Sequence, residues 1–263
     1  MITNKAIDKG KPFDWGRASR DYAKYRDIYP NEFYGKVVEM GLCVKGQRVL
    51  DLGTGTGVLP RNLYKYGARF VGADISKNQI EQARLLTVEA GMDIEYVVAS
   101  AEDFDFPENS FDVVTACQCF MYFDKAVALP RIYNVLKPGG HFCILFMAWL
   151  PAESEIAQKC EELVLKYNPD WTGGGMKRYV PPKTPVWAED LFEAVNIEGF
   201  DVNVTFTRES WHGRVRACRG IGASSLSAEK IAAFEEEHIR YLQGVPEMFD
   251  VLHFVTILNL RKR

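Results

Sequence analysis

No excess of positive charge runs through this sequence: 32 Lys and Arg stand against 35 Asp and Glu, a formal net charge of −3. That balance excludes a strongly basic nucleic-acid binder, while leaving room for a local basic patch. No apolar run is long. The longest, Phe142 to Leu150, has nine residues, where a bilayer span needs about 20. Met1-Ile2-Thr3-Asn4-Lys5 leads into no apolar segment, so no export signal is expected. Cysteine is sparse, at positions 43, 117, 119, 143, 160 and 218, without a Cys-x-x-Cys spacing or a disulfide framework. Free thiols without an export signal point to the cytoplasm, and no metal site is expected. Internal repeats, low-complexity tracts and like-charge blocks are all missing.

What the chain does have is 263 residues, 47% of them hydrophobic, enough to bury a sizeable core. A short apolar strand, a Gly-rich or polar turn and a segment of helical period recur. Strands are predicted at 48–52, 69–73, 94–98, 111–116 and 141–147, with helices over 58–66 and 77–90 and another just before residue 137. Ser76 and Gln79 are placed as a capping box and Gly91 as a stop. Pro130 predicts a kink or a late start in the helix around it. Strands alternating with helices imply right-handed crossovers and a mostly parallel, doubly wound α/β sheet. The later half reads differently: a helix over 153–167, an irregular, Pro- and Gly-rich stretch over 170–185, a strand over 199–207, an irregular segment over 211–225, a helix capped by Ser227 and a closing strand over 251–260. The expected organisation is one domain over 1–263. Cover helices would occupy 1–45, the core 46–148, lid segments 149–198 and 208–245, and closing strands 199–207 and 251–261.

The sharpest motif is Val49-Leu50-Asp51-Leu52-Gly53-Thr54-Gly55-Thr56-Gly57, a strand entering glycines and then a helix. Glycines there let a ligand approach backbone amides with a helix N-terminus behind them. A dinucleotide fingerprint would need Gly at the sixth position, where Val58 stands, so a nicotinamide cofactor is disfavoured. Asp74 ends the second strand, where a carboxylate can accept both hydroxyls of a ribose. Ala101-Glu102-Asp103 follows the third strand and Cys117-Gln118 the fourth, again at carboxyl ends of parallel strands. Each alone is ordinary turn chemistry; in register they outline a ligand site.

These segments, together with Tyr25-Arg26-Asp27-Ile28-Tyr29-Pro30, Asp74-Ile75-Ser76, Ser110-Phe111-Asp112-Val113-Val114, Leu136-Lys137-Pro138-Gly139-Gly140 and Phe206-Thr207-Arg208-Glu209-Ser210-Trp211, resemble the class I S-adenosylmethionine-dependent methyltransferases. The resemblance is to the small-molecule group that includes ubiquinone-biosynthesis-like and trans-aconitate-like enzymes, and it is strongest from Phe13 to Met147. It implies a Rossmann-like seven-stranded sheet with an antiparallel last strand, and S-adenosyl-L-methionine as cofactor. It further implies Gly53, Gly55 and Gly57 under the methionine part and Asp51 orienting the loop and the ammonium group. Asp74 would take the ribose hydroxyls, Ile75 would pack on adenine, and Ala101 and Glu102 would read the adenine edge. Cys117 and Gln118 would line the sulfonium side, with Tyr25 and Arg26 closing from above.

An in-line methyl displacement asks mainly for alignment in an apolar, aromatic cup. Phe120, Tyr122, Trp149 and Trp211 are the candidates for binding the acceptor. If a base is needed, His212 beside Trp211 is the candidate; His141 and His238 read as structural, and His253 falls in the closing strand. Arg178, Arg208, Arg214, Arg216 and Arg219 could meet a carboxylate on the acceptor. Cys117 is expected at the pocket and Cys119 in the core, neither of them catalytic. The expected function is methyl transfer to a small molecule, with no nucleic-acid, membrane or obligate protein partner. The alternatives are a methyltransferase acting on RNA or protein, and a cofactor-binding protein without catalysis.

Overall fold

The computed structural model describes residues 2–263. Seven strands hydrogen-bond in the order β3-β2-β1-β4-β5-β7-β6. They are β1 (Arg48–Leu52), β2 (Arg69–Asp74), β3 (Glu95–Val98), β4 (Phe111–Cys117), β5 (Leu136–Trp149), β6 (Phe192–Thr207) and β7 (Met248–Lys262). The ladders from β3 through β5 are parallel, and the last strands run antiparallel, giving the expected Rossmann-like α/β sheet. The chain divides into two compact units. The first is Met1–Ile28, Ala148–Arg178 and Asp201–Phe254; the second is Tyr29–Met147, Tyr179–Phe200 and Val255–Arg263.

The second unit carries the parallel strands and helices α2 (Asn31–Glu39), α3 (Val58–Leu63), α4 (Lys77–Glu89) and α5 (Lys125–Val135). Leu50, Leu52, Val71, Phe111, Val114, Ile132 and Phe142 fill its core; strands covered on both faces need such continuous apolar runs. Helix α4 begins where Ser76 accepts the Gln79 amide and ends in a Schellman turn. There Gly91 (φ +64°) directs its amide to the Val88 carbonyl, and Met92 bonds to Thr87. Helix α5 starts at Lys125, capped by Asp124, so the late start expected from Pro130 does not occur. The proline sits in mid-helix, where it forgoes one backbone bond.

The first unit packs α1 (Ser19–Tyr25) on α7 (Arg208–Arg216), and α6 (Glu155–Tyr167) and α7 on α8 (Ala228–Leu242). Helix α7 corrects the irregular reading of residues 211–216. Only Trp211 and Val215 mark an apolar stripe there, and Gly213 reads as a breaker. Yet Thr207 and Ser210 form a full capping box, and Gly213 is the contact point with α1: a Cβ on it would lie 2.3 Å from the Tyr25 ring. β5, β6 and β7 also run longer than their apolar stretches suggested. The N-terminal segment is tied down where Thr172 donates its amide to Asp8 at 2.8 Å and Arg219 pairs with Asp8.

Candidate active site

The second unit brings the glycine motif, Asp74, Ile75, Ala101, Glu102, Cys117 and Gln118 to the carboxyl ends of β1, β2, β3 and β4. Gly53, Gly55 and Gly57 all take left-handed backbone angles (φ +62°, +56° and +74°). At Gly53 a Cβ would stand 2.7 Å from Cys119, and at Gly57 one would stand 2.3 Å from the Tyr96 hydroxyl. A side chain at either place would strain the backbone and collide with its neighbour. Asp74 organises the loop: one carboxylate oxygen accepts the Gly55 amide at 2.9 Å, the other the Ser76 amide at 2.8 Å. Burial raises the Asp74 pKa, and these two amides oppose the rise. Each oxygen keeps a further lone pair for a ligand hydroxyl. Beside it, Ile75 is 55% exposed, an open apolar surface of the kind a flat ring covers.

Asp51 lies behind the loop, fully buried, and accepts a 2.6 Å hydrogen bond from Thr115, its neighbour across the β1–β4 ladder. Burial pushes its carboxyl up to about 7. Glu102 accepts the Asp124 amide at 2.9 Å, which ties the segment after β3 to the start of α5. Gln118 turns the chain out of β4 with φ +65° and donates to the Met147 carbonyl. Cys119 donates its thiol to the Leu52 carbonyl at 3.1 Å and packs on the core, as expected of it. Cys117 is half-buried. Left-handed glycines, a carboxylate with spare lone pairs and an exposed isoleucine fit an adenosyl ligand carrying an amino-acid tail.

Phe120 is buried against Phe123, Phe142 and Trp187, whereas Tyr122 is half-buried. The remaining sequence-derived candidates belong to the first unit. Tyr25 donates to Glu209 at 3.0 Å, and Arg26 lies over the Tyr22 ring, 92% buried. Trp149 donates to Glu161 at 2.5 Å. Trp211 is fully enclosed by Trp149, Phe206 and Phe249, and donates to Cys160 at 3.1 Å. The His212 Nδ1 is 3.0 Å from the His238 Nδ1, and the His238 Nε2 is 3.0 Å from the Cys160 Sγ. Burial, then the Arg216 charge, lowers the His212 pKa. Of the five arginines, Arg178 pairs with Glu153 and Asp201, Arg208 with Glu247, Arg216 with Asp21 and Glu235, and Arg219 with Asp8. Arg214 lies 4.7 Å over the Trp149 ring. No group of three His, Cys, Asp or Glu side chains suited to a metal occurs among the described residues.

Sequence reasoning did not pick out Thr115, whose role depends on the register that sets it opposite Asp51. It also passed over Tyr96, the reason Gly57 has no room for a side chain. Neither carries a motif; both emerge only once the strands are paired.

The chain is an S-adenosylmethionine-dependent methyltransferase with a Rossmann-like fold. A methyltransferase-domain profile matches residues 50–144. A ubiquinone biosynthesis O-methyltransferase from Xanthomonas euvesicatoria is 27% identical over 182 residues, covering 68% of this chain and 74% of the relative. A demethylmenaquinone methyltransferase from Thermus thermophilus is 36% identical over 113 residues, covering 42% of this chain and 51% of the relative. Among solved structures, the YcgJ protein from Bacillus subtilis superimposes with a TM-score of 0.54 at 19% identity, covering 89% of this chain and 99% of that one. No helix among the described residues is long and apolar enough to cross a membrane.

Proposed function

We propose that this methyltransferase acts in the cytoplasm on a small molecule of the kind handled in ubiquinone or menaquinone biosynthesis. The names of the O-methylating and demethylmenaquinone relatives support that acceptor class. The observation that carries the cofactor half of the reading is Asp74, bridging the Gly55 and Ser76 amides beside the exposed Ile75. Bound S-adenosylmethionine would supply a methyl group already activated on a sulfonium, so the protein's task is alignment to within about 3 Å. On this reading Gly53, Gly55 and Gly57 pass under the methionine part, and Asp51 braces them and faces the ammonium group. Asp74 accepts the ribose hydroxyls, Ile75 covers adenine, and the Ala101 amide and Glu102 read its edge. Cys117 and Gln118 line the sulfonium side. Phe120 and Tyr122, of the same unit, form aromatic surroundings for the acceptor. Because its Nδ1 meets His238, His212 would serve as a base through Nε2 alone.

The test is transfer of label from S-adenosylmethionine to a panel of demethylated quinols and related hydroxylated aromatics. We expect label in at least one small-molecule product, and a fall in rate of about tenfold or more in His212→Ala if His212 is the base. Label entering only bulk RNA or protein would overturn the acceptor assignment.

A further inference from the structure

Beside the glycine loop, and in the same unit, runs a line of aromatic rings that ends on a tryptophan. It begins at Phe123. A Cβ built on Gly53 would lie 4.0 Å from the Phe123 ring, and the next residue, Asp124, gives its amide to Glu102 at 2.9 Å. The turn after β4 is thereby pinned to two of the segments that outline the cofactor site. Phe120 stands edge-on to Phe123, with centroids 5.8 Å apart and planes at 79°. Trp187 lies on Phe120 in turn, with centroids 4.8 Å apart and planes at 46°. Phe120 is buried, with Phe142 against it and the Lys125 ammonium 5.0 Å over its ring, so its surface is spent on the protein. Trp187 is only half-buried and keeps indole surface open. Among the five tryptophans, Trp149, Trp171 and Trp211 are buried; Trp15 and Trp187 are half-buried, and Trp187 alone belongs to the unit of the glycine loop. Its backbone is held in place. The neighbouring Ala188 is fully buried and donates its amide to the Pro185 carbonyl at 2.8 Å, and the Thr184 hydroxyl accepts the Ala194 amide at 2.9 Å. A ring ordered in advance loses little freedom when a ligand packs on it.

We propose that Trp187 is an acceptor-binding residue that selects for a flat aromatic ring, which packs on the open part of its indole. Aromatic pairs favour offset or edge-on contact at about 4.5–7 Å between centroids, with a gain beyond that of the apolar area they bury. The inference rests on the small-molecule reading above and narrows it to acceptors built on an aromatic ring. It divides the work among the three rings: Phe123 and Phe120 fix Trp187 relative to the glycine loop, and Trp187 meets the acceptor. Trp187 handles no proton and holds the acceptor equally before and during transfer. Its loss should therefore raise KM and leave kcat nearly unchanged.

The experiment is fluorine NMR of the full chain made with 5-fluorotryptophan and saturated with S-adenosylhomocysteine, the Trp187 signal being assigned through Trp187→Phe. Paired probes are titrated in: 2-naphthol with decahydro-2-naphthol, and catechol with 1,2-cyclohexanediol. The expected result is a Trp187 signal that moves with at least one aromatic probe and far less with its saturated partner, while the Trp15 signal stays where it is. By calorimetry, Trp187→Ala should bind that aromatic probe about tenfold more weakly. Its affinity for S-adenosylhomocysteine should stay within a factor of about two of wild type. Trp187→Phe, which keeps a ring, should retain most of the probe affinity. Should Trp187→Ala fail to fold, the wild-type spectra decide alone. A Trp187 signal indifferent to every probe, or moved equally by both members of each pair, would overturn the proposal, as would undiminished probe binding by Trp187→Ala. Label transfer keeps the two readings apart. Label reaching a small molecule while Trp187 stays indifferent removes only this inference; label confined to RNA or protein removes the reading beneath it as well.

Discussion

Two carboxylates, Asp51 buried and Asp74 half-buried, brace the glycine loop at the scale of single residues, and they do so differently. Asp74 spends its hydrogen bonds on backbone amides of the loop and of the turn into α4. Asp74→Ala should therefore weaken S-adenosylhomocysteine by roughly ten- to a hundredfold, the range for hydrogen bonds to a charged group. Calorimetry reads that directly, and a melting curve reports how much of the loop's bracing is lost with it. Asp51 titrates near 7 in the folded chain against 3.8 ordinarily, because burial disfavours its charge. A carboxyl raised in this way gives its full stabilisation below pH 3.8 and loses it as the pH rises through 7. Asp51→Asn should accordingly flatten the fall in melting temperature between about pH 4 and pH 7. A wild-type curve with no such fall would show that Asp51 is ionised throughout. Gly53 tests the close approach: Gly53→Ala places a methyl 2.7 Å from Cys119 at a positive φ. A loss of about 1–3 kcal/mol in stability is expected from denaturant unfolding.

Helices α6, α7 and α8 are held at the scale of elements by a run of polar contacts that links the Trp211 ring N–H, the Cys160 sulfur, His238 and His212. Burial, reinforced by His212, keeps the His238 pKa down to about 3. A histidine depressed from its ordinary 6.5 stabilises above that value and loses its contribution as the pH falls toward 3. Acid melting should steepen across that window and be shallower in His238→Phe, whatever constant offset the lost hydrogen bonds impose. Identical slopes would mean that the seam does not titrate. The same seam shows where sequence reading stops. Helix α4 was legible because Ser76, its apolar spacing and Gly91 all agree, and each acts within one turn of chain. Helix α7 was not, because Gly213 is there to admit the Tyr25 ring from nearly 190 residues away. The cofactor motifs were legible for the former reason: a strand end, a glycine and a carboxylate sit within a few positions of each other. The partners of Asp51 and of the glycines, Thr115 and Tyr96, depend on strand register that no local pattern encodes.

In the whole molecule, the parallel-sheet unit carries the proposed cofactor loop, and the other unit is rich in buried aromatics and charge. Its near-neutral balance and its likeness to small-molecule methyltransferases agree on the kind of reaction. The roles given to individual loop residues all presuppose that S-adenosylmethionine binds where Asp74 and the left-handed glycines meet. The most direct measurement is therefore calorimetric titration of S-adenosylhomocysteine into the wild-type chain and into Asp74→Ala. The account predicts a single site of micromolar affinity in the wild type that weakens strongly in the variant. No heat and no rise in melting temperature with the wild type, or equal binding by both proteins, would contradict it.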